Sequence, residues 1–209
     1  VVTKNLISNP AVDISLLIVF VFIAQSYADS YGVMDAYFLL QMPIEENLWT
    51  IISSTFAHAN MSHLSSNLLA LLILGLPIAI KASKTRFYLF FVAVGSIAGV
   101  SQILFFYAAG QLGFLNTTVS GVLGASGAIF GLMGYLITSN RITDFSSRFL
   151  QAPRKIRYLI YLFVAVWITL ATATPQAALV GHFTGLIMGM GAGRQNLLRV
   201  TDEQSKKDT

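Results

Sequence analysis

Leu123-Gly124-Ala125-Ser126-Gly127-Ala128-Ile129-Phe130-Gly131 sets one serine between glycines and runs straight into an apolar helix. At a helix start a serine is ordinarily an N-cap, its side-chain oxygen accepting a free backbone N–H. The surroundings argue for more. The chain is 55% hydrophobic and 11% charged, with mean hydropathy +0.69, whereas a soluble domain carries about twice that charge. Its apolar residues fall in runs near the roughly 20 residues a helix needs to cross a bilayer. The serine stretch therefore belongs to an all-α integral membrane domain, and the remainder is too short for a separate soluble domain. With no cysteine in 209 residues, neither a disulfide nor a thiol nucleophile enters the chemistry.

Working outward from Ser126, six spans can be drawn, at about 14–27, 61–80, 87–109, 125–139, 156–173 and 177–193. The first is long enough to stay in the bilayer as a span, which a cleaved leader would not. A chain beginning at Val1 leaves room for a native N-terminal extension. Residues 1–200 form one domain on this division, and 201–209 form a polar tail. Six spans put both ends on one side, and the basic residues choose that side. Lys4, Lys81, Lys84, Arg86, Arg141, Arg148, Arg154, Lys155, Arg157, Arg194, Arg199, Lys206 and Lys207 are all thirteen Lys and Arg, and all fall at one face. The opposite loops, 29–49, 110–124 and 174–176, hold none. Both termini are thus expected in the cytoplasm. The net charge of +4 is a topology signal, and nucleic acid is not a partner. The loop 29–49 mixes Tyr31, Met34, Tyr37 and Phe38 with Asp29, Asp35, Glu45 and Glu46, the composition of an amphipathic piece lying in the membrane interface.

Depth in the bilayer brings the polar residues together. Ser126 lies fifteen residues before Arg141, about 22 Å at 1.5 Å per residue. The same count gives about 21 Å from Asn67 to Lys81, about 18 Å from His182 to Arg194 and about 27 Å from His63 to Lys81. In a hydrocarbon core about 30 Å thick all four share the outer half. The fourth span is too short to cross, so the chain before Ser126 must dip into the membrane as non-helical backbone. That is tolerated only where it is buried in protein or beside a water-filled cavity. Gly127, Gly131 and Gly134 line one face of span four, and Gly185, Gly189 and Gly193 line one face of span six. Small-residue stripes let membrane helices approach closely, and stripes that face each other would bring His182 beside Ser126.

A serine and a neutral imidazole at one depth suit a nucleophile and its base. His63 and Asn67, at i and i+4, share one face of span two and can donate to an oxyanion. Helical spacing points His58 elsewhere, as an interfacial or packing residue. Three histidines raise zinc, but there is no His-Glu-x-x-His pair and no carboxylate at mid-depth, so neither metal nor cofactor is expected. The Gly-x-Gly-Asp pattern of membrane aspartyl proteases is absent.

These residues resemble the rhomboid family of intramembrane serine proteases, in its six-span prokaryotic type. The motifs are Gly124-Ala125-Ser126-Gly127, His58-x4-His63-x3-Asn67 and Gly181-His182-x-x-Gly185-x3-Gly189, in that family's spans and on its side of the membrane. The resemblance implies that Ser126 is the nucleophile and His182 the general base, a dyad without an acidic third member. It implies an oxyanion hole of the Ser126 N–H, His63 and Asn67, with Gly124, Gly127, Phe130 and Gly185 shaping the site. It further implies a serine endopeptidase of the cell membrane, opening toward the extracytoplasmic side and cutting single-pass transmembrane proteins near their spans, in contact with membrane lipid. The alternative is a non-catalytic rhomboid-like binder of unstable transmembrane helices. Two positions depart from the family pattern. Trp49-Thr50 stands where Trp-Arg is frequent, and Phe130 stands where a tyrosine often packs against the base.

Overall fold

Each of the six apolar runs folds as a helix, because a backbone in hydrocarbon must satisfy its own hydrogen bonds. The computed structural model describes residues 9–114, 121–139, 154–171 and 178–199, and among them it contains helices and two isolated bridges but no strand. Helix α1 (Pro10–Ser30) is followed by the short α2 (Met34–Phe38), a 3-10 turn (Ile44–Asn47) and the short α3 (Thr50–Ser53). Then come α4 (Met61–Ala79), α5 (Lys84–Gln111), α6 (Ser126–Thr138), α7 (Arg154–Ala171) and α8 (Leu179–Arg194). Helices α1, α4 and α5 are long and apolar enough to cross a membrane. The polar tail, Lys4, Arg141, Arg148 and the connection 174–176 lie outside the described residues.

The starts and stops follow local chemistry. Pro10 opens α1, with the Asn9 side chain accepting the N–H of Ala11 at 2.9 Å; proline fits there because its missing N–H would have no partner. Asn60 caps α4 through the His63 N–H at 2.9 Å. The outer loop is three short helical pieces where the sequence suggested one amphipathic piece. Its apolar and acidic residues never keep a helical period long enough to extend any of them.

Helix α6 sits at the centre, packed by α4, α5 and α8, while α1 packs on α4 and α7 on α8. Its 13 residues include nine that are buried. The peripheral helices instead turn apolar stripes outward: Leu16, Phe20, Ile23 and Tyr27 on α1, and Leu159, Phe163 and Trp167 on α7. Such stripes at helical spacing need an apolar surrounding, which a bilayer supplies.

The stripes Gly127/Gly131 and Gly185/Gly189 do face each other. A Cβ placed at Gly185 would land on the Gly127 carbonyl oxygen, and one at Gly189 on that of Gly131. At one end of the bundle Arg86 donates to the Arg199 carbonyl at 3.0 Å, the Ser83 N–H donates to Leu198 at 3.0 Å, and Tyr88 donates to the Asp13 carboxylate. These contacts gather the start of α1, the α4–α5 turn and the end of α8. The starts of α4, α6 and α8 meet at the other end.

Candidate active site

Ser126 is the first residue of α6. Its N-cap is Ala125, so Ser126 stands one position inside the cap and its hydroxyl turns to His182. It lies 2.9 Å from Nε2 of His182. His182 is buried, in the first turn of α8, and its ring stacks on Phe130 with centroids 4.2 Å apart and planes 9° from parallel. Ser126 and Phe130 are one turn apart on α6, so a single helix presents both the hydroxyl and the plate against which the imidazole lies. Among the described residues His182 Nδ1 has no hydrogen-bond partner. The ring is oriented by stacking where a soluble triad would use a carboxylate.

The chain reaches Ser126 through non-helical backbone. Gly124 has φ +129°, a conformation open to glycine but costly for other residues. A Cβ there would meet the His63 ring, with Nε2 at 3.0 Å. His63 therefore lies over the turn that delivers the serine. Asn67, buried one turn further along α4, donates one amide hydrogen to the His63 carbonyl at 2.8 Å, and a carboxamide has a second to offer. The Ser126 N–H is at a helix start, where no carbonyl lies one turn behind it. Gly127 lies against Ala98 of α5, and Gly185 crosses the backbone of Gly127. Ser126, His182 and Phe130 thus touch one another, and His63 lies over the Gly124 turn beside them, with Asn67 bonded to His63 one turn further along α4.

His58 packs, as one reading of it expected, but not in the expected direction. Its ring does not point away: it meets His63 edge-on, with centroids 5.0 Å apart and planes at 65°. Helical spacing fails here because His58 precedes α4 and lies in the loop. The buried Gln25 of α1 holds that loop. Its Oε1 accepts the His58 N–H at 2.8 Å, and its Nε2 donates to the His58 carbonyl. Burial first, and the neighbouring His63 second, push His58 down to about 4, while a hydrogen bond with the Phe56 carbonyl opposes them.

The Trp49-Thr50 pair has local ties of its own. Thr50 is buried and donates to the Asn47 carbonyl at 2.6 Å, and the Trp49 indole donates to Ala36 at 2.8 Å. The outer loop is tied to the segment before Ser126 as well. Leu40 and Val122 exchange N–H to carbonyl bonds of 3.0 and 2.8 Å, and the Gly124 N–H donates to Ser54 at 2.8 Å. The motifs named in the sequence predict none of these bonds, nor the roles of Gln25 and of Gln102, a buried glutamine of α5 whose Oε1 accepts the Gly181 N–H. The two glutamines did leave a signal, since a lone carboxamide in an apolar span is costly unless it has a partner. The backbone ties left none, because any residue can make them.

Residues 45–197 match the family model of the Rhomboid domain. The chain is also similar to "Rhomboid protein 1, mitochondrial" of Saccharomyces cerevisiae, with 32% identity over 101 residues, 48% of this chain and 28% of that protein. The chain thus matches well under two-thirds of that relative's length. The domain match runs from the loop ahead of His58 to just past the helix that bears His182, well over half of the chain, and on an all-helical frame with membrane-type apolar faces it makes the chain a member of the rhomboid family, whose members are in general intramembrane serine proteases acting on transmembrane proteins, with some inactive.

Proposed function

We propose that this protein is an intramembrane serine endopeptidase that cleaves transmembrane segments of single-pass membrane proteins through a Ser126–His182 dyad. The observation that carries this is the 2.9 Å approach of His182 Nε2 to the Ser126 hydroxyl. At that distance the imidazole takes the hydroxyl proton as Oγ attacks the scissile carbonyl. The tetrahedral oxyanion is met by the Ser126 N–H, Asn67 and His63. Collapse breaks the C–N bond, and the leaving amine takes the proton from His182. Water, activated by the same imidazole, then hydrolyses the acyl-enzyme. Gly124, Gly127 and Gly185 permit the close backbone approach, and Phe130 holds the imidazole plane. No cofactor or metal is needed for this sequence of steps.

The membrane arrangement belongs to the same proposal. Residues 1–200 form one six-span domain with both termini in the cytoplasm and a polar tail at 201–209. The site opens toward the extracytoplasmic side, and lipid surrounds the exposed stripes of α1 and α7. A non-helical approach to a serine within the hydrocarbon depth favours a wet cavity there, which hydrolysis requires.

Incubation in detergent with a helix-destabilised transmembrane substrate tests the reaction. Ser126→Ala should lose at least about a hundredfold in rate, since only binding and oxyanion effects remain. A fluorophosphonate probe should label the native protein and neither Ser126→Ala nor His182→Ala. Equal cleavage by native protein and Ser126→Ala would sink the mechanism. Substrate capture without cleavage or labelling would point to the non-catalytic binder.

A further inference from the structure

Among the described residues, the helix that carries His182 has no side-chain cap of its own. The N-cap of α8 is Ala178, which makes no side-chain hydrogen bond. The first-turn N–H groups of a helix have no carbonyl behind them, and a buried one left unpaired is costly. Helix α5 meets this need from outside. Gln102 Oε1 accepts the N–H of Gly181 at 2.9 Å, and the Gln102 side chain is only 2% exposed. The approach depends on Gly181 being bare, because a Cβ there would come within 3.0 Å of the Ala98 carbonyl oxygen. Ser101 Oγ donates to Thr184 Oγ1 at 3.0 Å, so α5 holds α8 just before and just after His182. Ala98, one turn from Gln102, also abuts Gly127 beside the serine. One helix therefore registers both reacting groups.

We propose that Gln102 is a positioning residue for the general base. By capping α8 from the neighbouring helix, it sets the depth and rotation of the turn that aims His182 Nε2 at Ser126 Oγ. This rests on the function proposed above. A carboxamide suits the task because it is neutral and offers an acceptor without the desolvation cost of a charge. An apolar side chain of similar size would fill the space and leave the Gly181 N–H unpaired. Displacement of a catalytic group by 1 Å can cost about a hundredfold in rate, so a loosened first turn reaches the chemistry directly.

The test uses the whole protein in detergent, with Gln102→Met to remove the acceptor and Gln102→Glu to retain one. Gln102→Met should lower kcat at least about tenfold, leave KM within about twofold, and slow fluorophosphonate labelling of Ser126 in parallel. Gln102→Glu, whose carboxyl burial keeps protonated and whose carbonyl stays a neutral acceptor, should recover most of the lost kcat. Hydrogen–deuterium exchange over 178–186 should be slow at the first turn in the native protein and in Gln102→Glu, and fast in Gln102→Met. Fast first-turn exchange in the native protein overturns the cap, even where Gln102→Met does not fold. Native kcat in Gln102→Met, or equal losses in Met and Glu, overturns the positioning role. Exchange needs no activity, so a failed cap is distinguishable from a failed function, which would show as native protein that neither cuts nor is labelled.

Discussion

At the scale of single residues, the site is made of groups whose ordinary duties have been taken over by others. Ser126 would normally cap its helix, yet its hydroxyl faces His182. His182 has no partner at Nδ1 among the described residues, and Phe130 steadies its ring. Histidine 58 has a thermodynamic consequence. The unfolded chain takes up a proton near the ordinary 6.5, while the folded group resists until about 4. Stability present above 6.5 is therefore lost as pH falls through that window, up to about 3 kcal/mol for the full shift. Thermal unfolding in detergent between pH 7 and 4 should show a steeper decline in the native protein than in His58→Gln. Equal slopes would mean that His58 is not the titrating group, since His63, the ring facing it, is common to both proteins.

At the scale of elements, the contact that matters most is between α6 and α8. Their glycines bring backbone against backbone, so that no side chain separates the turn bearing Ser126 from the turn bearing His182. The value of this contact comes from close packing, since lipid tails are as apolar as any core residue. Gly189→Ala should force the helices apart, because its Cβ would fall on the Gly131 carbonyl. The expected cost is about 1–3 kcal/mol, read as a lower melting temperature and lost activity. Gly191, two residues on, has open space where a Cβ would go. Gly191→Ala should be neutral or slightly stabilising, as alanine is the better helix former. Similar losses in both variants would remove the special role of the Gly189 contact.

At the scale of the whole molecule, the asymmetry is one of ends. Lys81, Lys84, Arg86, Arg194 and Arg199 cluster where α1 begins and α8 finishes, and the candidate site lies toward the other end. Orientation in the membrane can be read directly because the chain has no cysteine. In intact cells a membrane-impermeant maleimide should label Asp29→Cys from outside and Lys81→Cys only after permeabilisation. The reverse pattern would overturn the proposed topology, and with it the side on which the site opens.

Much was legible from the residues alone. The six apolar runs determine six helices, since hydrocarbon leaves the backbone no other partner. The depth count from Arg141, Lys81 and Arg194 puts Ser126, Asn67, His63 and His182 in the outer half of the membrane, the first two and His182 within about one turn of each other, and the glycine spacing names the faces that meet. Those features are periodic or local, and a sequence displays them. Tertiary structure decided what depends on distant chain. Gln25 grips His58 across 33 residues, Leu40 pairs with Val122, and Gln102 reaches Gly181 across 79. None of these has a period or a spacing rule. Each exists because three-dimensional packing left a buried polar group that needed a partner, and only the fold determines which partner is near enough.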